Sequence, residues 1–324
     1  MGDLSLFALQ ASSDLGQSIA SSLGTSLCVA EERDFEDGEH KVRSVDPVRG
    51  ADVYVVQSLH GGATGSANDK LIRLLFFIGS LKDAGAARVT AVAPYLCYAR
   101  KDLRTKPNDP VATRYVAGLF DSVGTDAIVT LDVHNPAAVE NAFRCRTIVA
   151  TAAPLFAGYA RTLGDRRLCV VTPDAGGAKR AERLRELIEL DTGRQIANAI
   201  AEKHRSGGVV SGDLFAGDVA GTTALIVDDL ISTGTTLLRT AKSARGAGAT
   251  SVLTFVTHGL FTRGSDEVVC SPAIDRLIVT DSVGYPRLSS AALEKIDVLS
   301  VAPLLADIVR RLHEDRSLTD LSVL

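Results

Sequence analysis

The fold is decided by one stretch of the chain, residues 225–237, which reads LIVDDLISTGTTL. An apolar strand leads into two adjacent acids, and a run of small and hydroxyl-bearing residues then opens a helix. The first turn of a helix has unpaired N–H groups and the positive end of the helix dipole, so it suits a phosphate group. This stretch therefore predicts an α/β fold with an anion site where the strand meets the helix.

The side chains of this stretch indicate a sugar phosphate as the ligand. Gly234 would let the backbone approach the phosphate closely. Four hydroxyl-bearing residues would add donors: Ser232, Thr233, Thr235 and Thr236. Carboxylates accept hydrogen bonds from vicinal diols, so Asp228 and Asp229 would hold the two ribose hydroxyls. An ordinary capped helix is the alternative, but it gives no reason for two acids at the end of a buried strand.

Apolar runs and amphipathic stretches alternate along the chain. Runs typical of strands covered on both faces lie at 52–57, 88–93, 127–131, 167–172, 223–228, 251–257 and 276–280. Helices are predicted near 69–84, 112–123, 176–188, 235–247 and 302–313. Such alternation predicts βαβ units, and therefore mainly parallel sheets flanked by helices.

The length of 324 residues favours two domains. Residues 130–134 and 226–229 end two predicted strands on similar polar groups, which indicates a duplicated architecture with a boundary near residue 150. We expect an N-terminal domain at 1–150 and a C-terminal domain at 151–301. The last helix, within residues 302–324, is expected to pack back on the N-terminal domain.

Composition excludes several classes of function. The formal net charge of −4 argues against a general nucleic-acid binder, which normally carries a basic excess. The five cysteines are scattered and form no C-x-x-C pair, a pattern typical of reduced thiols. No apolar run is long enough to cross a bilayer, and the chain start lacks a signal-peptide pattern. We therefore expect a cytoplasmic protein without nucleic-acid or membrane partners.

Several segments in the same order resemble the ribose-phosphate pyrophosphokinase (PRPP synthetase) family. Residues 225–237 resemble the phosphoribosyl pyrophosphate (PRPP) loop, which that family shares with phosphoribosyltransferases. The other similar segments are 35–39 (FEDGE), 94–102 (PYLCYARKD), 131–134 (LDVH), 172–180 (TPDAGGAKR), 202–208 (EKHRSGG) and 302–311 (APLLADIVRR). The resemblance spans almost the whole chain. It implies two phosphoribosyltransferase-like α/β domains, each a mainly parallel sheet flanked by helices.

The resemblance also implies an activity. Members of the family transfer the pyrophosphoryl group of ATP to the 1-hydroxyl of ribose 5-phosphate, which yields PRPP and AMP. Carried over by motif, the ATP-binding residues would be Phe35, Asp37, Glu39, Arg100 and Lys101. The family further implies self-association as a dimer or hexamer, with the ATP site shared between subunits.

Mg²⁺ and two catalytic cations follow from the same resemblance. His134 and Asp174 would meet Mg²⁺ on the ATP phosphates, although magnesium prefers oxygen ligands to an imidazole. Lys203 and Arg205 match the catalytic loop of the family and would stabilise charge on the transferring group. The sequence departs from the family pattern at four positions within these motifs: Lys101, His204, Ser232 and Thr235.

Two other functions remain open at this stage. A phosphoribosyltransferase would use the PRPP loop to consume PRPP, but it gives no role to the 35–39 segment, Arg100 or Asp174. A catalytically silent homologue that regulates an active synthetase would lack catalytic cations or metal ligands, whereas Lys203, Arg205 and His134 are all present.

Overall fold

The chain folds into two compact units. The computed structural model describes residues 2–206 and 209–319, without the side chains of residues 202–206 and 209–214. One unit comprises Met1–Thr151, Ser282–Gly284 and Ser300–Leu324, and the other comprises Ala152–Asp281 and Tyr285–Leu299. The division after Thr151 lies beside the expected boundary near residue 150. Residues 282–284, 300 and 301 group with the first unit, although the sequence placed them at 151–301.

A parallel sheet forms the centre of the first unit. Its strands and those of a separate hairpin are β1 (Leu4–Ala8), β2 (Ala30–Asp34), β3 (His40–Ser44), β4 (Asp52–Val56), β5 (Arg88–Val92), β6 (Ala127–Leu131) and β7 (Arg146–Ala150). The five-stranded sheet has the order β1-β4-β5-β6-β7 with parallel neighbours, and β2 pairs antiparallel with β3. Strands β4 and β6 are buried along their whole length, as strands covered on both faces should be.

Amphipathic helices connect these strands. They are α1 (Ser13–Leu23), α2 (Ala67–Asp83), α3 (Ala112–Ser122) and α4 (Pro136–Ala142). Helix α2 begins with a capping box, in which Asp69 N donates to Ser66 Oγ over 3.1 Å and Ser66 N donates to the Asp69 carboxylate over 2.9 Å. Its apolar face packs into the core, where Phe77 meets Phe7 edge to face at 5.3 Å.

The second unit contains a larger sheet. Its strands are β8 (Leu168–Thr172), β9 (Ala197–Ser206), β10 (Val209–Ala216), β11 (Thr223–Ile231), β12 (Ser251–Gly259), β13 (Arg276–Thr280) and β14 (Ile296–Leu299). Its helices are α5 (Ala153–Arg161), α6 (Ala178–Thr192), α7 (Thr235–Gly246), α8 (Ser265–Cys270) and α9 (Ser290–Leu293). The order is β10-β9-β8-β11-β12-β13-β14, and only β9 and β10 pair antiparallel. The prediction of mainly parallel sheets flanked by helices is confirmed.

The connections of this sheet create a topological switch point between β8 and β11. The chain passes from β8 through α6 to β9 on one side, and from β11 through α7 to β12 on the other. Loops at the carboxyl ends of two such strands diverge and leave a crevice, which is where open α/β sheets bind ligands. The PRPP-loop stretch and the 172–180 segment both begin at this crevice.

The final helix, α10 (Ala302–His313), belongs to the first unit and packs against α1. Leu305, Ile308 and Val309 are fully buried on its apolar face. A polar network ties the end of the helix to β4, because buried Asp52 accepts hydrogen bonds from Arg88 Nε at 2.7 Å and His313 Nδ1 at 2.8 Å. Charge-assisted hydrogen bonds to a buried carboxylate are strong and directional, so this network fixes the end of α10 against β4.

Two of the differences from the predicted elements have local causes. Strands β2 and β3 carry the polar sequences AEERD and HKVRS, so they offer no apolar run. Strand β11 continues to Ile231, beyond the predicted end at 228, because Ile231 still pairs with Gly259 of β12. Within residues 2–206 and 209–319, no helix has the length and apolarity needed to span a bilayer.

Candidate active site

Asp228 and Asp229 lie at the open side of strand β11. Pairing between β8 and β11 ends at Ile226 and Val171, whereas pairing between β11 and β12 continues for several residues. The two acids therefore follow the point where β8 leaves the sheet. Asp229 is buried and Asp228 is partly buried, so both carboxylates stand in the crevice of the switch point.

Arg180 of helix α6 faces both of these carboxylates. Its Nη1 atom lies 3.7 Å from Asp228 Oδ1, and its Nη2 atom lies 3.9 Å from Asp229 Oδ2. A single guanidinium with two planar nitrogen donors suits a pair of neighbouring carboxylates. Sequence reasoning assigned no role to Arg180, although it closes the 172–180 motif and so could have been noticed by its proximity to Asp174 in sequence.

Burial raises the pKa of Asp228 to about 8, and the adjacent Asp229 acts in the same direction. Two carboxylates this close resist simultaneous ionisation. Arg180 opposes the shift because its positive charge favours the ionised form. The acidic pair therefore loses contacts with water on folding, and Arg180 offsets only part of the resulting energetic cost.

The phosphate-loop residues cluster around the start of α7, which begins at Thr235. Gly234 adopts a left-handed conformation with φ of 81°, and a Cβ atom there would meet Val268 Cγ1 at 2.7 Å. Thr233 and Thr235 share a hydrogen bond of 3.0 Å between their hydroxyls, and Ser232 Oγ lies 3.1 Å from Thr262 Oγ1. Thr233, Thr235 and Thr236 are exposed, so their hydroxyls can reach an anion at the helix start.

The loop after β8 forms the other wall of the crevice. Asp174 is exposed, and its Oδ1 atom accepts a hydrogen bond from Gly177 N at 3.2 Å. Gly177 packs so tightly that a Cβ atom would approach Thr172 Oγ1 to 2.4 Å. Arg239 of α7 donates to Pro173 O over 3.4 Å, which links the two loops of the crevice within this unit.

A second polar edge occurs in the first unit, at the carboxyl ends of β5 and β6. Asn135 Nδ2 donates to Asp102 Oδ2 over 2.7 Å, which joins the 94–102 segment to the segment after β6. His134 and Arg100 are both exposed beside this link. The structure thus brings together two of the motifs that resemblance assigned to ATP and metal.

Lys101 is already engaged by a neighbouring acid. Its Nζ atom donates to Asp109 Oδ2 over 2.8 Å, and the same oxygen accepts from Thr105 Oγ1 at 2.7 Å and from Lys106 N at 3.1 Å. These contacts depress the pKa of the Asp109 carboxyl, with the Lys101 hydrogen bond as the largest cause. The lysine that departs from the family pattern therefore organises the 101–109 loop.

The 35–39 segment forms the tip of the β2–β3 hairpin. Phe35 N donates to Glu39 O over 2.9 Å, and Glu39 N donates to the Asp37 carboxylate over 3.1 Å. The Phe35 ring is 39% exposed, and its only described cation contact is with Arg33, whose guanidinium lies 5.2 Å from the ring centre. An exposed ring between acids suits the stacking of a base.

The structure gives no site geometry for two groups of predicted residues. The side chains of Lys203 and Arg205, on strand β9, lie outside the described residues. His134 belongs to the first unit and Asp174 to the second. Among the described residues, no group of three or more histidine, cysteine or acidic side chains is arranged to hold a metal ion.

Family models match two parts of the chain. Residues 4–124 match the N-terminal domain of ribose phosphate pyrophosphokinase, and residues 210–322 match the phosphoribosyl synthetase-associated domain. Ribose-phosphate pyrophosphokinase 1 of Streptococcus pyogenes is 32% identical over 98% of this chain and 97% of its own length. The ribose-phosphate pyrophosphokinase of Listeria ivanovii is 33% identical over 98% of this chain and 96% of its own length.

A solved structure is similar over nearly the whole chain. The crystal structure of phosphoribosylpyrophosphate synthetase from Mycobacterium smegmatis has a TM-score of 0.85 and 31% identity, and the match covers 97% of this chain and 99% of that one. The two parallel-sheet units and the acidic crevice beside a helix start define an α/β enzyme of the phosphoribosyltransferase-like class. Within that class, the chain belongs to the ribose-phosphate pyrophosphokinase family.

Proposed function

We propose that this protein transfers the pyrophosphoryl group of ATP to the 1-hydroxyl of ribose 5-phosphate, forming PRPP and AMP. The observation that carries the proposal is the crevice at the switch point of the second unit. There, Asp228 and Asp229 stand on the open side of β11, just before the exposed amino end of α7. Membership of the pyrophosphokinase family supports the same activity.

Ribose 5-phosphate would bind with its phosphate at the start of α7. Unpaired N–H groups and the helix dipole attract the dianion, and exposed hydroxyls of Thr233, Thr235 and Thr236 add donors. Ser232 and Gly234 shape the turn. The 2- and 3-hydroxyls would then donate to Asp228 and Asp229, which the Arg180 guanidinium holds at the crevice.

ATP would use the hairpin tip and the 94–102 segment of the first unit. Phe35 would stack on adenine, and Asp37 and Glu39 would accept hydrogen bonds from its amino edge or hold the loop in place. Arg100 is exposed and would bind the ATP phosphates. Lys101 would add charge there only if it released Asp109, to which it is now bound.

Lys203 and Arg205 would serve as the catalytic cations. The sugar 1-hydroxyl attacks the β-phosphorus of ATP, the bond between that phosphorus and the oxygen bridging to the α-phosphate breaks, and AMP leaves. Negative charge grows on the transferring oxygens and on the departing α-phosphate. Two cations held near those oxygens would lower the barrier without any covalent role for the protein.

Mg²⁺ fits the donors that this chain offers. It keeps several waters and is usually bound by one or two carboxylates together with substrate phosphates. Asp174 has an exposed carboxylate at the rim of the crevice, and only its Oδ1 atom has a described hydrogen bond. Asp174 would hold the ion and His134 would contact it directly or through water. The bound ion would neutralise charge on the ATP phosphates.

Self-association, as a dimer or hexamer with a shared ATP site, is part of the same proposal. Exposed apolar side chains support it, because Phe76 is 58% exposed on α2 and Tyr115 is 61% exposed on α3. Light scattering coupled to size-exclusion chromatography would measure the oligomer, and a strictly monomeric protein would contradict this part. A cytoplasmic location stays a prediction.

One assay tests the activity directly. The protein is incubated with ATP, Mg²⁺ and ribose 5-phosphate, and AMP and PRPP are measured together. The proposal expects one AMP for each PRPP, and the double variant Asp228→Asn/Asp229→Asn should lose most turnover while remaining folded. Production of ADP would instead indicate a simple kinase, and folded wild-type protein without turnover would indicate a silent homologue.

A further inference from the structure

A polar cavity lies in the first unit, beside the base of the β2–β3 hairpin whose tip, residues 35–39, we assign to ATP. Its volume is about 380 Å³, within the range of small-molecule sites. It is bounded by the carboxyl end of β4, the start of α2 and strand β2. Seven of its lining side chains are ionisable or amide-bearing: Gln10, Glu32, Asp34, Gln57, Asp69, Lys70 and Arg73.

Lys70 is the cation of this cavity without a carboxylate partner. Only 1% of the residue is exposed, and its Nζ atom lies 3.3 Å from His60 Nε2. No described carboxylate lies within salt-bridge distance of it. Burial lowers the pKa of Lys70 to about 8, so the side chain is still mostly charged at neutral pH. A buried ammonium without a carboxylate partner is costly unless something else compensates it.

Gln57 adds a second uncompensated group to the same wall. The residue is fully buried at the end of β4, and neither Nε2 nor Oε1 has a hydrogen-bond partner among the described residues. Buried amides nearly always have partners, so each exception needs an explanation. The amide offers two donors and an acceptor beside the Lys70 ammonium, a combination suited to a carboxylate that also carries a hydrogen-bond donor.

Three carboxylates, from Glu32, Asp34 and Asp69, form another part of the cavity wall. Glu32 is largely buried and pairs with Arg73 Nη1 at 3.9 Å, and Asp34 also contacts the Arg73 guanidinium. Burial is the main cause that raises the pKa of Glu32. Asp69 completes this wall from the start of α2. With three carboxylates and two cations, the wall carries a net charge of −1 when all five groups are ionised.

We propose that this cavity is a binding site for a small zwitterion of the α-amino acid class. The carboxylate of the ligand would accept hydrogen bonds from Lys70 Nζ and Gln57 Nε2. Its ammonium group would face Glu32 and Asp34, and Gln57 Oε1 would take a further donor from the ligand. In this arrangement the Lys70 ammonium gains an anionic acceptor, and the Gln57 amide gains partners for its donor and its acceptor.

The charge pattern disfavours two other ligand classes. An inorganic phosphate dianion would meet Lys70 but also the acidic wall, which repels it. A divalent cation would meet the carboxylates, but it would leave Gln57 Nε2 without an acceptor and would repel Lys70. A neutral zwitterion satisfies both ends at once, and it fits the cavity volume.

Calorimetry and thermal shift with a panel of common α-amino acids test this site. We expect saturable binding of at least one of them, with one site per chain and a raised melting temperature. The carboxamide and the N-acetyl derivative of that amino acid each lack one charge. Each should bind with an affinity lower by about tenfold or more. No binding by any amino acid, or binding of inorganic phosphate alone, would overturn the proposal.

Two variants locate the site. Lys70→Met and Gln57→Leu should each lower the affinity for the amino acid by about tenfold or more, since each removes a buried donor. Lys242→Met, at an exposed position on α7 of the other unit, is the matched control and should bind as wild type. Equal affinity in all three variants would contradict the assignment. Because Lys70→Met removes a buried charge, the melting temperature of this variant should be measured to confirm that the variant folds.

The binding measurements use no ATP or sugar, so their outcome does not depend on whether the proposed enzymatic function is correct.

Discussion

Arg180 Nη1 lies 3.7 Å from Asp228 Oδ1, and the same guanidinium reaches Asp229. The relationship joins two motifs that are separated by almost fifty residues in the chain. Helix α6 starts after the 172–177 loop, and strand β11 carries the acidic pair, so the ion pair spans the switch point. Arg180 thus positions the carboxylates that we assign to the ribose diol.

Replacing Arg180 should impair sugar-phosphate binding. In Arg180→Met, the two carboxylates lose their shared cation, so the pKa of Asp228 rises further and the pair is no longer held at the crevice. We expect the KM for ribose 5-phosphate to rise by about tenfold or more, with a smaller change in the KM for ATP. Arg183→Met is the control, because Arg183 lies on the same helix and pairs only with Glu186 among the described residues. An unchanged sugar KM would contradict this role.

The acidic pair should make the free protein less stable as the pH rises. The pKa of Asp228 is about 8 in the folded protein and close to its ordinary value when unfolded, so the folded state binds the extra proton between these values. Stability from this group is therefore lost as pH rises from about 4 to 8. Asp228→Asn should raise the melting temperature over wild type more at pH 8 than at pH 5. A pH-independent difference would argue against the raised pKa.

Gly234 should not tolerate a side chain. Gly234→Ala places a methyl group in a left-handed conformation and against Val268, so we expect a loss of about 1–3 kcal/mol in the free energy of unfolding. Urea unfolding measures this loss, and the KM for ribose 5-phosphate should rise as well. Gly246→Ala is the control on the same helix, because a Cβ there meets no atom within 4 Å. Similar stability of both variants would show that the turn relaxes.

Arg100 and Lys101 should differ in their effect on ATP. Arg100 is exposed and has no described ion pair, whereas the Lys101 ammonium is held by Asp109. We expect Arg100→Gln to raise the KM for ATP about tenfold or more, and Lys101→Gln to change it much less. Initial-rate measurements at saturating sugar compare the two variants. A larger effect at Lys101 would mean that it leaves Asp109 when ATP binds.

Lys203 should act on turnover more than on binding. Removal of one charge-stabilising contact from a transition state commonly costs about 100-fold or more in turnover. We expect Lys203→Ala to lose that much in kcat while ribose 5-phosphate binding, measured by calorimetry, stays close to wild type. Lys242→Ala on α7 provides a lysine control. Near-normal turnover in Lys203→Ala would remove this residue from the mechanism.

Much of the fold could be predicted because its central strands are apolar on both faces. The runs at 127–131 and 276–280 coincide with β6 and β13, and the helix predicted at 302–313 coincides with α10. The polar hairpin strands β2 and β3 were missed, since their pairing depends on a turn and on helix α2 rather than on an apolar pattern. Short helices such as α8 and α9 offer too few turns for a periodic signal.

The sequence alone determined the residue types at the candidate site. Two adjacent acids, a glycine and four hydroxyls in one stretch already describe a phosphate and diol site, because local order places them at a strand end and a helix start. The family motifs could likewise be read without coordinates. These features depend on residues that are neighbours in the chain, so they can be recognised from the sequence alone.

Only the tertiary structure decided which charges compensate one another. Arg180 meets Asp228 across the switch point, Lys101 is held by Asp109, and Lys70 shares its cavity with Gln57. Partners of this kind depend on packing between segments distant in sequence, and their protonation depends on burial. Spacing along the chain encodes neither the packing nor the burial, which is why the sequence did not show that Asp109 holds Lys101 and left Arg180, Gln57 and Lys70 without a role.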